Sequence, residues 1–108
     1  MINNINFHDV NIYGIFYIEE EETLELFLSN NKKLRFERVI HWDFSEFEKQ
    51  NIIFDIKQYQ EVPLWIKENF GIKKELPLNN LLCYIDSSVG LSGIIIYRNV
   101  KIFEDVIS

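Results

Sequence analysis

The sequence contains little cysteine, proline or glycine: among its 108 residues are one cysteine, two prolines and four glycines. A single cysteine excludes an intrachain disulfide and suits a reducing cytoplasm. We expect Cys83, which stands between Leu82 and Tyr84, to be a buried strand thiol. With so few prolines and glycines we expect no long structureless linker, and the length suits one domain spanning residues 1–108.

Long apolar runs are also missing. No run approaches the roughly 18 to 20 residues that a membrane-spanning helix needs. Residues 1–6 have neither the basic start nor the apolar middle of a secretory signal. We therefore expect a cytoplasmic protein with no membrane partner.

Positive charge is scarce: 11 Lys and Arg stand against 17 Asp and Glu, for a net charge of −6. The excess lies in residues 1–50, which hold ten acids and five bases, whereas residues 51–108 hold seven and six. Nucleic-acid binding needs clustered Lys and Arg, so we expect no nucleic-acid partner. The charge favours attraction to a cationic surface. Ordinary solubility is the alternative explanation.

Motifs for catalysis or metal binding are incomplete. His8 is followed by Asp9, and His41 lies two residues before Asp43, but no HExxH or CxxC spacing accompanies either histidine. The glycines form neither GxGxxG nor a Walker motif. Residues 90–94 lack the second glycine of a nucleophile elbow. The sequence thus predicts no catalytic residues, no cofactor and no metal site.

Aromatic residues make up 15% of the chain, enough large side chains for a packed core. Apolar residues fall on both faces of a strand predicted over residues 10–18, so we expect this strand to be covered on two sides. Alternating apolar residues then predict a hairpin with the loop Asn30-Asn31-Lys32, in which Leu28 lies opposite Leu34 and Glu25 points outward.

The rest of the chain predicts more strands and one helix. Ser45 to Glu48 matches a capping box and predicts a helical turn. Pro63 and Gly71 suit the two ends of a helix over about residues 61–70. Further strands are predicted over 51–59, 81–86, 93–99 and 100–106. The expected fold is α+β, a mostly antiparallel sheet of six or seven strands with the one helix packed on it.

Acidic and aromatic residues form the candidate partner-binding set. Four consecutive glutamates predict an exposed turn, because adjacent carboxylates are not buried together. Aromatic anchors among acids, in a segment predicted to be irregular, favour a hot spot for a basic protein. Alternatively, Trp42 covers a sheet edge as a core residue and the glutamates are only a solvated face. The candidates are Glu19, Glu20, Glu21, Glu22, Trp42, Asp43, Glu46 and Glu48.

The chain resembles the small bacterial immunity proteins of toxin–immunity systems, including those of contact-dependent growth inhibition. The resemblance lies in its bias toward Asn, Ile, Lys and Glu and in the segments Phe7-His8-Asp9-Val10 and Asn51-Ile52-Ile53-Phe54-Asp55-Ile56. It implies a cytoplasmic toxin inhibitor without catalysis of its own. Such a protein binds a cognate toxin domain, often a basic nuclease, and covers its active or substrate-docking site.

Two other functions remain open from the residues. The chain could be an assembly or adaptor module that associates through a sheet edge. It could also be a small hydrolase that uses His8 or His41. The sequence does not predict the oligomeric state.

Overall fold

The computed structural model of the chain describes residues 6–104. The predicted α+β class is confirmed, with eight strands and one α-helix in this range. The elements are β1 Ile12–Ile18, a 3-10 helix Glu19–Glu21, β2 Thr23–Leu28, β3 Lys33–Glu37, β4 His41–Ser45, β5 Ile52–Tyr59, α1 Leu64–Phe70, β6 Leu81–Val89, β7 Ser92–Tyr97 and β8 Asn99–Phe103.

The strands form two four-stranded antiparallel sheets, which corrects the prediction of one sheet with six or seven strands. The first sheet has the order β1-β2-β3-β8 and the second has the order β4-β7-β6-β5. β3 pairs with β8 and β4 pairs with β7, so one long ladder passes through both sheets. At the junction Arg38 has a φ of 56°. The β3–β4 side has one residue more than the β7–β8 side, a bulge that lets the ladder bend.

The core has two parts, one on each face of the second sheet. The larger part lies between the two sheets and includes Phe36 and Tyr97, whose rings meet edge to face at 4.9 Å. In the smaller part, Val62 and Ile66 pack against the other face of the second sheet. The molecule therefore has three layers, with α1 outermost.

The β2–β3 hairpin is confirmed, but its register differs from the predicted one. Leu26 pairs with Leu34, and the Leu28 N–H donates to the Lys32 carbonyl at 2.9 Å. The three-residue loop is therefore 29–31, one residue earlier than predicted, so the expected pairing of Leu28 with Leu34 is wrong by two residues. Asn31 takes the left-handed conformation with a φ of 64°, which asparagine tolerates well. The buried face is unchanged, because side chains alternate with a period of two.

Two predictions for residues 39–48 are wrong. His41–Ser45 is a strand and not irregular, and Ser45 ends that strand instead of capping a helical turn. Glu46 has a φ of 61°, outside the right-handed helical region. Pairing with β7 stabilises this strand, and such a distant contact overrides the local capping pattern.

The helix is confirmed, but it starts at Leu64 and is shorter than predicted. Pro63 precedes it in an extended conformation, with a ψ of 150°. The predicted C-terminal cap is confirmed, since Gly71 has a φ of 66° and its N–H donates to the Lys67 carbonyl. The last strand ends at Phe103, and the predicted residues 105–106 lie outside the described part of the chain.

Burial corrects the expectation for β1. Tyr13 and Phe16 are more than half exposed, so β1 is not covered on both sides. Cys83 is confirmed as a buried strand residue, and its burial raises the pKa of the thiol well above the usual range. No helix that the structure describes is both long and apolar enough to cross a membrane.

Glu25 lies on the outer face of the first sheet, as predicted, but its side chain is buried and not solvated. It is only 4% exposed, and its Oε2 lies 2.8 Å from Arg35 Nε and 3.1 Å from Lys33 Nζ. Both cations also lie 5.0 Å from the Phe103 ring. A buried carboxylate requires such pairing, and the ion pairs satisfy it.

Candidate protein-binding surface

Two aromatic rings connect the edges of the two sheets. Trp42 on β4 and Tyr17 on β1 have ring centroids 4.5 Å apart and planes at 43°. β1 and β4 are both edge strands, because each is terminal in its sheet. Trp42 remains 39% exposed. It is thus held by a neighbour in the other sheet and still presents a large apolar area to solvent, as an interface anchor does.

The glutamate run follows β1 directly and is confirmed as an exposed turn. Glu19–Glu21 form one 3-10 turn, and Glu22 closes it with a φ of 51°. The Glu22 carbonyl accepts a hydrogen bond from the Val39 N–H at 2.9 Å, which ties the turn to the start of the β3–β4 connection. The turn therefore lies close to the end of β1 that carries Tyr17.

One end of the turn is less acidic than its sequence indicates. Glu22 lines a depression of about 270 Å³ together with Arg38 and Arg98. These two arginines lower the negative potential around Glu22. Glu20 and Glu21 are exposed, and none of the ion pairs within residues 6–104 involves them. They are the part of the run best placed to attract a cationic partner.

The loop after β4 carries Glu46 and Glu48, and Asn51 holds it in place. Asn51 is fully buried. Its Oδ1 accepts hydrogen bonds from the Glu48 and Leu91 N–H groups, both at 2.9 Å. Its Nδ2 donates to the carbonyls of Ile12 and Glu48, both at 2.8 Å. One carboxamide therefore fixes the loop to the start of β1 and to the β6–β7 turn.

Gly90 in the β6–β7 turn makes this contact possible. It has a φ of 81°, and a Cβ built there would lie 2.4 Å from the Gln50 carbonyl oxygen and 2.5 Å from Asn51 Oδ1. Such distances are far below van der Waals contact, and the obstructing oxygens belong to the backbone and to a fixed side chain. Glycine at this position allows the turn to approach the Asn51 hub closely.

The structure separates the predicted residues into two groups around the β1 and β4 edges. The first group, at the end of β1, contains Glu19 to Glu22 and also Trp42, which packs on Tyr17 of that strand. Asp43 is exposed on β4, and Glu46 and Glu48 follow in the loop that Asn51 ties to the start of β1. Sequence reasoning missed Tyr17 and Asn51. The apolar run over residues 10–18 placed Tyr17 in a strand but did not indicate its contact with Trp42, and a single asparagine before an apolar strand gave no signal for Asn51.

The two histidines are on different segments. His8 precedes β1, with its Nδ1 3.3 Å from Asp9 Oδ2 and its ring 5.5 Å from the Phe54 ring. His41 is exposed on β4. Within residues 6–104, no group of three or more His, Cys, Asp or Glu side chains converges as metal ligands would.

No family model matches the chain, and no curated protein or solved structure matches it. The resemblance to immunity proteins therefore stays a prediction.

Proposed function

We propose that this protein binds and neutralises a basic protein toxin, as immunity proteins do, and has no catalytic activity of its own. In this proposal the partner is a cognate toxin domain, with a nuclease as the leading class. The bound protein covers the toxin's active or substrate-docking site. It acts in the cytoplasm, where Cys83 stays reduced.

The observation that carries the proposal is the partly exposed Trp42 on an edge strand. Its ring packs on Tyr17, and acidic residues follow it in the sequence. Residues 41–48 contain Asp43, Glu46 and Glu48 and no Lys or Arg. A supported aromatic side chain loses little conformational freedom on binding, so it is a favourable anchor. The carboxylates that follow Trp42 in the chain accelerate encounter with a cationic surface and oppose its Lys and Arg.

The fixed loop after β4 also supports a binding role. The Asn51 hydrogen bonds hold residues 46–50 without using any of their side chains, all of which are exposed. These side chains are therefore available to a partner on a loop that needs little reordering. Preorganisation of this kind lowers the entropic cost of association.

The direct test is co-expression with the product of the neighbouring gene. We expect the two proteins to purify together, and we expect the complex to lose the toxicity that the partner shows alone. Toxicity that persists at saturating amounts of this protein would overturn the proposal.

Charge reversal tests the electrostatic part. We expect the triple change Glu20→Lys, Glu21→Lys and Asp43→Lys to slow association with the partner about tenfold or more at low salt. The control triple is Glu61→Lys, Glu68→Lys and Glu104→Lys, which changes net charge equally at exposed sites elsewhere. Equal association rates for the two triples would show that net charge alone, and not this surface, directs the encounter.

The open edges of β1 and β4 favour a second candidate, an assembly module that self-associates. In that case sedimentation would show a mass that rises with protein concentration. The proposed inhibitor instead sediments as one species until its partner is added.

A further inference from the structure

The four edge strands of residues 6–104 differ in how they are protected from further pairing. β1 has a register shift between Ile12 and Gly14, and its start is bridged to β5. β5 has two register shifts and carries Lys57. β8 carries Lys101. Register shifts and lysines are the usual devices that prevent a strand from pairing with another chain.

β4 has neither device. Its five residues pair in continuous register with β7 and include no lysine or proline. It is also the most exposed strand, since only Phe44 is half-buried and the other four residues are exposed. Among the strands of residues 6–104 it pairs only with β7, so alternate N–H and C=O groups on its other side face away from the sheet. This edge has the geometry that an incoming strand needs.

The side chains of β4 indicate which strand would fit. Trp42 points toward Tyr17, on the face of the second sheet that packs against the first sheet. Asp43 points to the opposite face. An added strand therefore meets an aromatic ring on one face and a carboxylate on the other. Cross-strand pairs of opposite charge stabilise a sheet, so a Lys or Arg fits beside Asp43 and an apolar residue fits beside Trp42.

The same charges disfavour a second copy of this chain as the occupant. If two β4 strands paired antiparallel about their centres, the two Asp43 carboxylates would lie directly opposite each other. Like charges in that arrangement destabilise a sheet. The acids Glu46 and Glu48, which follow the strand, add to the repulsion at its end.

From these features we propose that the partner adds a strand to the second sheet along β4, and that this strand is an extended basic segment with alternating apolar residues. The inference rests on the proposed function and specifies how that partner is held. Main-chain hydrogen bonds supply affinity in this mode, and the side chains beside Trp42 and Asp43 supply specificity.

A synthetic peptide of alternating valine and lysine is a suitable probe for the full-length protein. The Trp65→Phe variant leaves Trp42 as the only tryptophan, so its fluorescence reports binding at β4. We expect this peptide to bind at least tenfold more tightly than a matched peptide of alternating valine and glutamate. The same basic peptide with every backbone amide nitrogen methylated keeps its charge but has no main-chain N–H donors. We expect its affinity to be at least tenfold lower.

Hydrogen exchange supplies the second measurement. In the complex with the natural partner, we expect β4 amide protons to exchange at least tenfold more slowly, while those of another edge strand, β8, are unchanged. If the partner binds and inhibition occurs but β4 exchange is unaltered, strand addition is wrong and the proposed function stands. Equal binding of the N-methylated peptide also overturns strand addition, and concentration-dependent β4 protection without any partner identifies a second copy as the occupant.

Discussion

Trp42 and Tyr17 pack against each other across the gap between two sheets, with ring centroids 4.5 Å apart and planes at 43°, although they are 25 positions apart in the chain. Within residues 6–104, β1 meets β5 only at its start and β4 pairs only with β7, so the ring pair stabilises edges that backbone pairing leaves largely open. The anchor proposed for partner binding is thus also a structural contact. Binding and stability must be measured separately for any change at this position.

Trp42→Ala tests the anchor. We expect partner affinity to fall by about 2 kcal/mol or more, roughly thirtyfold, as for a central interface aromatic. Trp65→Ala is the matched control, because Trp65 is 42% exposed and also packs on one tyrosine, Tyr84, at 4.9 Å. Calorimetric titration measures the affinities, and urea unfolding measures the stability of each variant. Similar affinity losses in the two variants would remove Trp42 from the binding surface.

Asn51→Ala tests the hub that fixes the loop. The change leaves the Leu91 N–H and the Ile12 carbonyl without their partner in a buried site, so we expect a loss of about 3 kcal/mol in the free energy of unfolding. Asn30→Ala, in an exposed turn, should change it by less than about 0.5 kcal/mol. Urea denaturation of both variants provides the comparison. A small effect at Asn51 would mean that the loop is held by other contacts.

Gly90→Ala and Gly71→Ala form a pair that separates steric conflict from backbone strain. Both glycines have positive φ, 81° and 66°, but only the Cβ at residue 90 would meet other atoms. We expect Gly71→Ala to cost about 1 kcal/mol from the left-handed conformation alone. Gly90→Ala should cost at least twice as much. Thermal unfolding in the two variants gives both values, and equal losses would contradict the close approach to Asn51.

Tyr97→Phe should stabilise the protein. The Tyr97 hydroxyl is buried in the core, and no protein atom within residues 6–104 accepts or donates a hydrogen bond to it. Burial raises the pKa of this hydroxyl far above its usual value, and the neighbouring Cys83 adds to the effect. Removing an unpaired buried hydroxyl should raise the free energy of unfolding by about 1 kcal/mol. A loss of stability in urea would show that the hydroxyl has a partner.

Glu37 predicts a dependence on acid. Its carboxylate accepts a hydrogen bond from Asn99 Nδ2 at 2.9 Å, and this contact, followed by Lys101, holds its pKa below the ordinary 4.5. A lowered folded pKa contributes stability above the unfolded pKa, and this contribution is lost as the pH falls through the folded value. We expect Asn99→Ala to raise the Glu37 pKa toward 4.5 in a carboxyl carbon NMR titration. An unchanged titration would assign the shift to Lys101.

The sequence predicted those parts of the fold that depend on local pattern. Alternation found the β2–β3 hairpin, and the glycine after the helix marked its end. Asn30 and Asn31 both suit a turn, so local preference did not fix which residues formed the loop. β4 was missed because its pairing with β7 joins residues about 50 positions apart, and no window around Ser45 contains that contact.

The candidate surface was predictable in composition but not in construction. Four adjacent glutamates indicate an exposed turn wherever the chain folds. That Tyr17 supports Trp42 depends on how two sheet edges meet, and the role of Asn51 depends on Leu91 forty residues later. Gly90 was the one local sign of the Asn51 hub. It was a weak sign, because a glycine in a turn also fits many looser arrangements.

The hydrogen bonds of Asn51 have a consequence for sequence variation and for design. It holds only main-chain atoms of Glu48, and the side chains of residues 46–50 are exposed, so the hydrogen bonds of the hub do not depend on which side chains stand there. Residues 46–50 can therefore be substituted while Asn51 and Gly90 are kept. Under the proposed function, changes at a few of these positions would alter the target, and randomising the same stretch would give a library from which binders can be selected.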